Sequence, residues 1–343
     1  MSKILTPKNI AFVYNVRHKY PDPKNPATFT ETDFDDQESI DRMVSHLKNA
    51  GFNIHPIEAN LNAESRLAEI KDKIDLAFNY SEVVVGANPK IYMAQIYEKL
   101  GIPFTGSSNS TQETIIDKGK MKTVLQEKGV NTLSFYTTDD FEADLETGFN
   151  FPVIVKPVAE GSSAGITNKS VVNSNEELHR QIKFVKDTFN EESIIEPFIE
   201  GREFSVGMLG NPPEFLPIIE PMHEKLPEGY YSIDSLEVKW EFEEELGKDY
   251  FSCPAKVDSE LEKQIHSLCL QAWKALDIRD FCRIDLRMDS SGKVYVLDVN
   301  SPPGLIPPEI TETSYFPMAA KIKGIEYEDL LGKIIKAAYI RTS

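Results

Sequence analysis

The chain has 343 residues, 41% of them hydrophobic and 27% charged, a globular composition long enough for two or three compact domains. Its 37 lysines and arginines face 55 aspartates and glutamates, giving a net charge of -18 and a pI of about 4.9. The long-range field therefore repels polyanions, which disfavours non-specific binding to DNA, RNA or an anionic membrane but leaves room for a small phosphorylated ligand held by local lysines.

The opening MSKILTPKNI has no long apolar core and no cleavage-like site, so it does not read as a signal peptide, and no apolar run approaches membrane-span length. Cys253, Cys269 and Cys282 are odd in number and widely spaced, and fit neither a zinc pattern nor a disulfide framework. A reducing cytoplasm is the expected setting.

Residues 9–106 alternate strand and helix: strands are predicted at 10–14, 54–57, 76–79 and 102–105, with helices around 40–50, 63–74 and 91–100. This is the pattern of an open, mostly parallel α/β unit. The polar segment 15–36, with Pro21, Pro23 and Pro26, is long enough to be functional. One helix is predicted over 111–128, strands at 134–137 and 152–157, and an acidic helix near 176–190. Strands dominate from 194 (194–196, 203–209, 215–219), an irregular stretch fills 221–254, and a helix at 258–276 precedes a hairpin and a closing helix at 326–338.

The hairpin is the most informative segment. In R-I-D-L-R-M-D-S-S-G-K-V-Y-V-L-D-V-N (283–300), Ile284, Leu286 and Met288 alternate with polar residues, and 289–292 makes the turn. Asp285 enters on one strand. Asp298 and Asn300, two apart on the other, point to one face. Three oxygen-bearing side chains can thus converge on a hard cation such as Mg²⁺, with Arg283 beside them. An acidic hairpin in an acidic protein is the bland alternative.

Upstream, P-V-I-V-K-P-V-A-E-G-S-S-A-G (152–165) delivers Lys156 from an apolar strand into a small-residue loop whose N–H groups and hydroxyls suit phosphates. It is not a Walker A loop. In I-I-E-P-F-I-E-G-R-E (194–203), Glu196 and Glu203 flank Phe198 and Ile199, a strap able to offer adenine its backbone and ribose a carboxylate. Asp117-Lys118 opens a K-x-K-x-K run, in which Lys120 reads as solvated.

Together, and in this order, these motifs resemble the ATP-grasp superfamily and within it the D-alanine–D-alanine ligase family. The resemblance runs from about residue 75 to the end. It is carried by G-I-P-F-T-G-S (101–107), D-K (117–118), V-K-P-x-x-E-G-S-S-x-G (155–165), E-x-F-I-x-G-R-E (196–203), R-I-D-L-R (283–287), D-V-N-S-x-P-G (298–304) and S-Y-F-P-M-A-A (314–320). It implies α/β and α+β lobes with ATP between them, in three parts: an N-terminal α/β domain (1–106), a central lobe (107–192) and a C-terminal lobe bearing the metal site (193–343).

The resemblance also implies the chemistry. A carboxylate attacks the γ-phosphate to give an acyl phosphate and ADP, then an amine displaces phosphate. Asp285, Asp298 and Asn300 would hold two Mg²⁺ ions, with Mn²⁺ able to substitute. Lys118 and Lys156 would contact the α/β-phosphates, and Ser163 with the 161–165 backbone would cover them. Glu196 and the Phe198 and Ile199 backbone would read adenine above Leu297, and Glu203 would hold the ribose. Arg283 and the Gly304 N–H would form the oxyanion hole, with Ser162 nearby. Lys239, Trp240 and Ser314 would face the substrates, a small carboxylate and a small amine. Neither nucleic acid nor membrane is implied, and a homodimer is compatible.

Four departures stand out. Asp298 takes the place of a metal-bridging glutamate. N-V-R-H-K-Y-P-D-P replaces the N-terminal signature whose glutamate orients the first amino acid, and Glu31, Asp33 and Glu38 are only its neighbours in sequence. The ω-loop pair reads Lys239-Trp240 instead of Lys-Tyr, and indole N–H cannot accept a hydrogen bond from Ser162. Extra residues, I-P-P-E-I-T-E-T, lie between Gly304 and Ser314. The ATP side is nearly intact, so the expected activity is the family's chemistry on different substrates. Strict D-alanyl-D-alanine synthesis is the alternative; a degenerate ATP-binding domain or a phosphotransferase ranks lower.

Overall fold

The computed structural model describes residues 7–22, 25–142 and 148–343. Its first sheet is parallel, with β1 (Asn9–Tyr14) between β2 (Asn53–Glu58) and β3 (Leu76–Tyr80). β1 is apolar on both sides because both faces are covered. Helix α1 (Gln37–Asn49), N-capped by the Asp36 carboxylate on the Ser39 N–H, covers one face. α2 (Ala63–Ile70) and α3 (Met93–Leu100) cover the other. The strand expected at 102–105 shrinks to one bridge, Phe104 to Ala77. Pro103 has no N–H to extend the ladder.

The helix expected over 111–128 is two helices, α4 (Asn109–Ile116) and α5 (Lys118–Glu127). Asp117 breaks them apart. Its backbone is extended, and its side chain accepts from the Lys120 N–H at 2.9 Å, capping the second helix. The break makes Lys118 the first residue of a new helix.

β4 (Tyr136–Thr138), β5 (Val153–Pro157), β6 (Val171–Val172) and β7 (Ser193–Pro197) form an antiparallel sheet in the order β4-β7-β5-β6. Helix α6 (Asn175–Phe189) closes its core through Leu178 and Ile182.

The C-terminal sheet begins with β8 (Arg202–Leu209) and β9 (Glu214–Phe215). The strand expected to 219 ends early, at Phe215, and Ile219 keeps a single bridge to Ser205. In the irregular stretch, β10 (Glu220–Pro221) pairs with β11 (Phe251–Ser252). Between them lie a π-helical turn at Val238–Phe242 and α7 (Glu243–Leu246). Helix α8 (Ser259–Ala275) leads into the hairpin β12 (Phe281–Met288) and β13 (Val294–Asn300), and the sheet order is β13-β12-β8-β9. Cys282, Ile284 and Leu286 pack into a core with Val206, Val296 and α8. Each fully buried side chain of this size contributes roughly 1.5–3 kcal/mol. Arg283, Asp285 and Arg287 take the opposite face.

The chain ends with α9 (Tyr315–Ile322) and α10 (Tyr327–Thr342), which returns to the first core. Buried Asp280 locks this return. It accepts from the Gly106 N–H (2.8 Å), Asn211 Nδ2 (2.6 Å) and the Arg341 fork (2.9 and 2.8 Å). Among the described residues no helix is long and apolar enough to cross a membrane.

His46 on α1 is clasped between Glu309 (Nε2 to Oε1, 2.6 Å), in the 305–313 segment, and Glu328 (Nδ1 to Oε1, 2.8 Å) on α10. Burial alone would lower its pKa, but the two carboxylates outweigh it and raise it. The same contacts lower the pKa of Glu309, against burial, and of Glu328. A raised histidine pKa contributes stability present below the unfolded value near 6.5 and lost as pH rises through the folded value. The carboxylates' share is lost as pH falls below their ordinary range. Thermal melts should therefore be most favourable in mildly acidic buffer and fall above neutrality, and His46→Gln should flatten that slope.

Candidate active site

The polar face of β12 carries the centre of the site. Arg283 grips Asp285 with both arms, Nε to Oδ1 at 2.9 Å and Nη2 to Oδ2 at 2.8 Å. Ser205 Oγ from β8 (2.5 Å) and Asn300 Nδ2 from β13 (2.9 Å) donate to the same carboxylate. The guanidinium lies 5.1 Å from the Tyr315 ring centre. Burial opposes the charge on Arg283, but Asp285 outweighs it and holds the pKa above its ordinary value.

The hairpin is out of register at one point. Asp285 pairs with Asp298, but Leu286 pairs with Val296, so Leu297 is an extra residue in β13. Val296 and Val299 stay in the core, while Leu297 and Asp298, adjacent in sequence, both lie outside it. Asp298 Oδ1 accepts from the Val299 N–H, and Oδ2 lies 3.5 Å from Lys118 Nζ.

These oxygens suit a hard divalent cation. Among the described residues, Asn300 gives its amide N–H to Asp285, which leaves its oxygen available, and Asp298 Oδ2 meets only Lys118. Asp285 is the most committed of the three. Its four acceptor sites are filled, so it would have to release one donor to touch a metal.

Lysines gather on the other side. Lys118, buried, donates to the Glu160 carbonyl at 2.7 Å. Lys156 contacts Glu196 Oε2, and Lys122, at 0% exposure, contacts Oε1 at 2.6 Å. Burial would raise the Glu196 pKa, but the two ammonium groups pull it down to about 2. Glu196 is itself 0% exposed. Its side chain therefore departs from the expectation that it reads adenine: it sits beneath the strap and orients lysines. Among the described residues, the Phe198 carbonyl and the Ile199 N–H have no hydrogen-bond partner. The Phe198 N–H bonds the Pro152 carbonyl, and the Ile199 carbonyl accepts from Arg287 Nε at 2.8 Å. Arg287 Nη1 also pairs with Glu203 at 2.7 Å, so the expected ribose acceptor is anchored and buried.

The loop expected over phosphates turns through Ser162 (φ 42°) and Ser163 (φ 61°), both left-handed. Ser163 Oγ donates to the Asp234 carbonyl at 2.5 Å. Segment 15–36 packs against this loop. A Cβ on Gly161 would lie 2.6 Å from the Asp33 carboxylate. Phe29 is buried with Ala164 and Leu236, with Trp240 beside them. The Arg17 guanidinium sits 4.7 Å over Trp240. Trp240 thus faces the N-terminal segment, and Ser162 has no hydrogen-bond partner among the described residues.

A cavity of about 60 Å³ lies between these parts, lined by Asp33, Glu82, Lys118, Glu160, Asp298 and Asn300. Burial, then Asp33 and Asp35, pushes Glu82 up to about 8. Burial and Glu191 push Glu160 to about 7 against the pull of Lys90. Ser314 precedes α9 without capping it through its side chain. Gly304 is exposed, with open space beside it. Lys239 helps hold the Asp234 pKa down.

Lys122 and Arg287 were not singled out in the sequence, although both carry a signal. Lys122 is four residues after Lys118 on one helix face, and Arg287 continues the period of Arg283 and Asp285. Asp33, Glu82, Asp234 and His223 carry none, because only tertiary folding brings them to the site.

Two α+β lobes, a lysine-fed small-residue loop and an oxygen-lined hairpin define the ATP-grasp class. A family profile described as D-ala D-ala ligase C-terminus matches residues 116–336. The D-alanine–D-alanine ligase of Aquifex aeolicus is 34% identical over 300 residues, covering 85% of this chain and 92% of the relative. That of Carboxydothermus hydrogenoformans is 32% identical, covering 86% and 90%. The crystal structure of the Bacillus anthracis D-alanine–D-alanine ligase superposes with a TM-score of 0.72 at 24% identity, covering 98% of each chain. The chain belongs to the D-alanine–D-alanine ligase family of ATP-grasp enzymes. It is an ATP-dependent ligase acting on small molecules, and its family chemistry calls for ATP and a divalent metal.

Glu196→Gln strands two buried ammonium groups, a loss on the order of 3 kcal/mol or more. Denaturant unfolding should register that loss. Lys156→Ala should leave the fold intact and weaken ATP binding strongly; equal ATP affinity by calorimetry would remove the phosphate role of Lys156.

Proposed function

We propose that this enzyme activates the carboxylate of one amino acid or related small molecule as an acyl phosphate, joins it to the amine of a second, and prefers substrates other than two D-alanines. One observation carries the altered preference. The Trp240 indole is committed to Arg17 and the Phe29 cluster, which leaves Ser162 without the partner that a tyrosine would supply. The inserted 305–313 segment, tied by Glu309 to His46, supports the same reading.

Lys118 and Lys156 hold the nucleotide phosphates under the 161–165 loop. The Phe198 carbonyl and the Ile199 N–H meet adenine over Leu297, and the free oxygen of Glu203 meets ribose. Asp298 and Asn300, joined by Asp285, would hold two Mg²⁺ ions, which when bound neutralise the transferring phosphoryl group. The donor ammonium is taken by Glu82 and Asp33 in the cavity beside Lys118. In sequence these two lie far apart, and folding brings both to that cavity. Arg283 and the Gly304 N–H face the oxyanion of the tetrahedral intermediate, and donors fixed in advance are most effective there.

Genuine D-alanyl-D-alanine synthesis is the second reading, favoured by the identity with named ligases along most of the chain. An amino-acid array scored for phosphate release, with product mass, separates the two. D-alanine alone should release phosphate poorly, and another pair should release it well. Efficient D-alanyl-D-alanine formation would establish the second reading. With the productive pair, Asn300→Ala should lower turnover more than ATP affinity and shift the Mg²⁺ dependence, and Glu82→Gln should raise the donor KM about tenfold.

A further inference from the structure

A buried side-chain chain in the irregular stretch is not accounted for by nucleotide, metal or donor binding. Asp234 accepts from Tyr315 Oη on Oδ2 at 2.7 Å, and its Oδ1 lies 3.1 Å from His223 Nε2. Its backbone carbonyl accepts from Ser163 Oγ. The Tyr315 ring in turn backs the Arg283 guanidinium and meets Phe251 edge-on at 5.0 Å. His223 and Tyr315 are both buried. Burial opposes the charge on Asp234, yet His223, Lys239 and Tyr315 bring its pKa down to about 2. Glu203 and Glu243 lie near enough to act on the same cluster electrostatically. A charged carboxylate kept among other carboxylates is costly unless its geometry serves something.

We propose that Asp234, with His223 and Tyr315, is a positioning relay that ties the loop covering the transferred phosphate to Arg283, so that closing the loop also sets the arginine for attack by the amine. The relay rests on the ligase reading above. Its two ends are both site elements, Ser163 of the loop and Arg283 of β12, and its middle is two residues, Asp234 and Tyr315. When Ser163 moves in, Asp234 is drawn with it, and Tyr315 holds the guanidinium plane in place.

The consequence concerns the fate of the acyl phosphate. Attack by the amine nitrogen forms the C–N bond, breaks the acyl C–O bond to phosphate, and passes the surplus proton to the leaving phosphate. Attack by water on the same carbon breaks the same bond and returns carboxylate and phosphate with no product. A correctly set Arg283 favours the first fate by holding the oxyanion while the amine is seated. A loosened one lets water compete.

The test uses the full-length enzyme and the substrate pair found productive in the array. Phosphate released per product bond is measured for wild type, Tyr315→Phe, His223→Gln and Asp234→Asn. Tyr315→Phe keeps the ring and removes only the hydroxyl, so it carries the test even where Asp234→Asn fails to fold. The relay requires the ratio to rise about fivefold or more in Tyr315→Phe and the acceptor KM to rise, with ATP affinity changed by less than about twofold. A purely structural role would lower all rates together and leave the ratio at the wild-type value, which would overturn the proposal. A second readout needs no turnover. A non-hydrolysable ATP analogue with Mg²⁺ should slow hydrogen exchange at both 160–166 and 314–318 in wild type, and only at 160–166 in Tyr315→Phe. Equal protection of both segments in the variant would also overturn it. Absence of turnover with every amino acid would defeat the ligase reading and leave the exchange experiment to decide the relay.

Discussion

The fork between Arg283 and Asp285 is the contact on which the site is built. It sits on an inner strand of the C-terminal sheet, and the carboxylate it holds also takes a donor from the strand on either side, Ser205 and Asn300. Three strands are thereby cross-linked on their polar face at the level where the chemistry falls. Other acidic groups around the cleft follow the same rule: Asp298 faces Lys118, Glu203 holds Arg287, and Glu196 lies between Lys122 and Lys156. In a protein this acidic, unpaired carboxylates would repel a polyanionic nucleotide. Pairing each with a cation keeps the cations inside and desolvated.

The hairpin and the strand carrying Lys156 were legible in the sequence because strand alternation and turn chemistry are local signals, and the family was legible through the resemblance of motifs that follow one another along the chain. What was not legible depended on long-range contact. No pattern marks Asp117 as a break between two helices, since its neighbours propagate helix on both sides and only the cap reveals it. Strict alternation cannot place both Leu297 and Asp298 outside the core; an extra residue in the strand does. Glu196 was expected at the adenine because the family resemblance implies it, and two lysines from separate elements hold it inside. Asp33 and Glu82 meet only because segment 15–36 folds back over the glycine loop.

That segment also changes how the substrate side can be understood. Phe29, Arg17 and Asp33 touch, respectively, the core behind the 161–165 loop, Trp240 and Gly161 of that loop. A stretch that reads as polar and proline-rich thus buries an aromatic and brings two chain regions together. If the proposed substrate preference holds, specificity depends on how the first part of the chain leans on the middle, as much as on the pocket walls.

The extra residue in β13 acts as a gauge. The turn at 289–293 is solvent-exposed and could lengthen or shorten with little effect on either strand. Between Val296 and Asn300 the count is fixed. Losing Leu297 would remove the bulge and its extra outward-facing residue, while losing or gaining one residue between Asp298 and Asn300 would turn Asn300 away from Asp285. Drift in chain length should therefore be tolerated at the tip of the hairpin and purged at its base, so the spacing within D-V-N is under tighter constraint than the identity of the residues just before it.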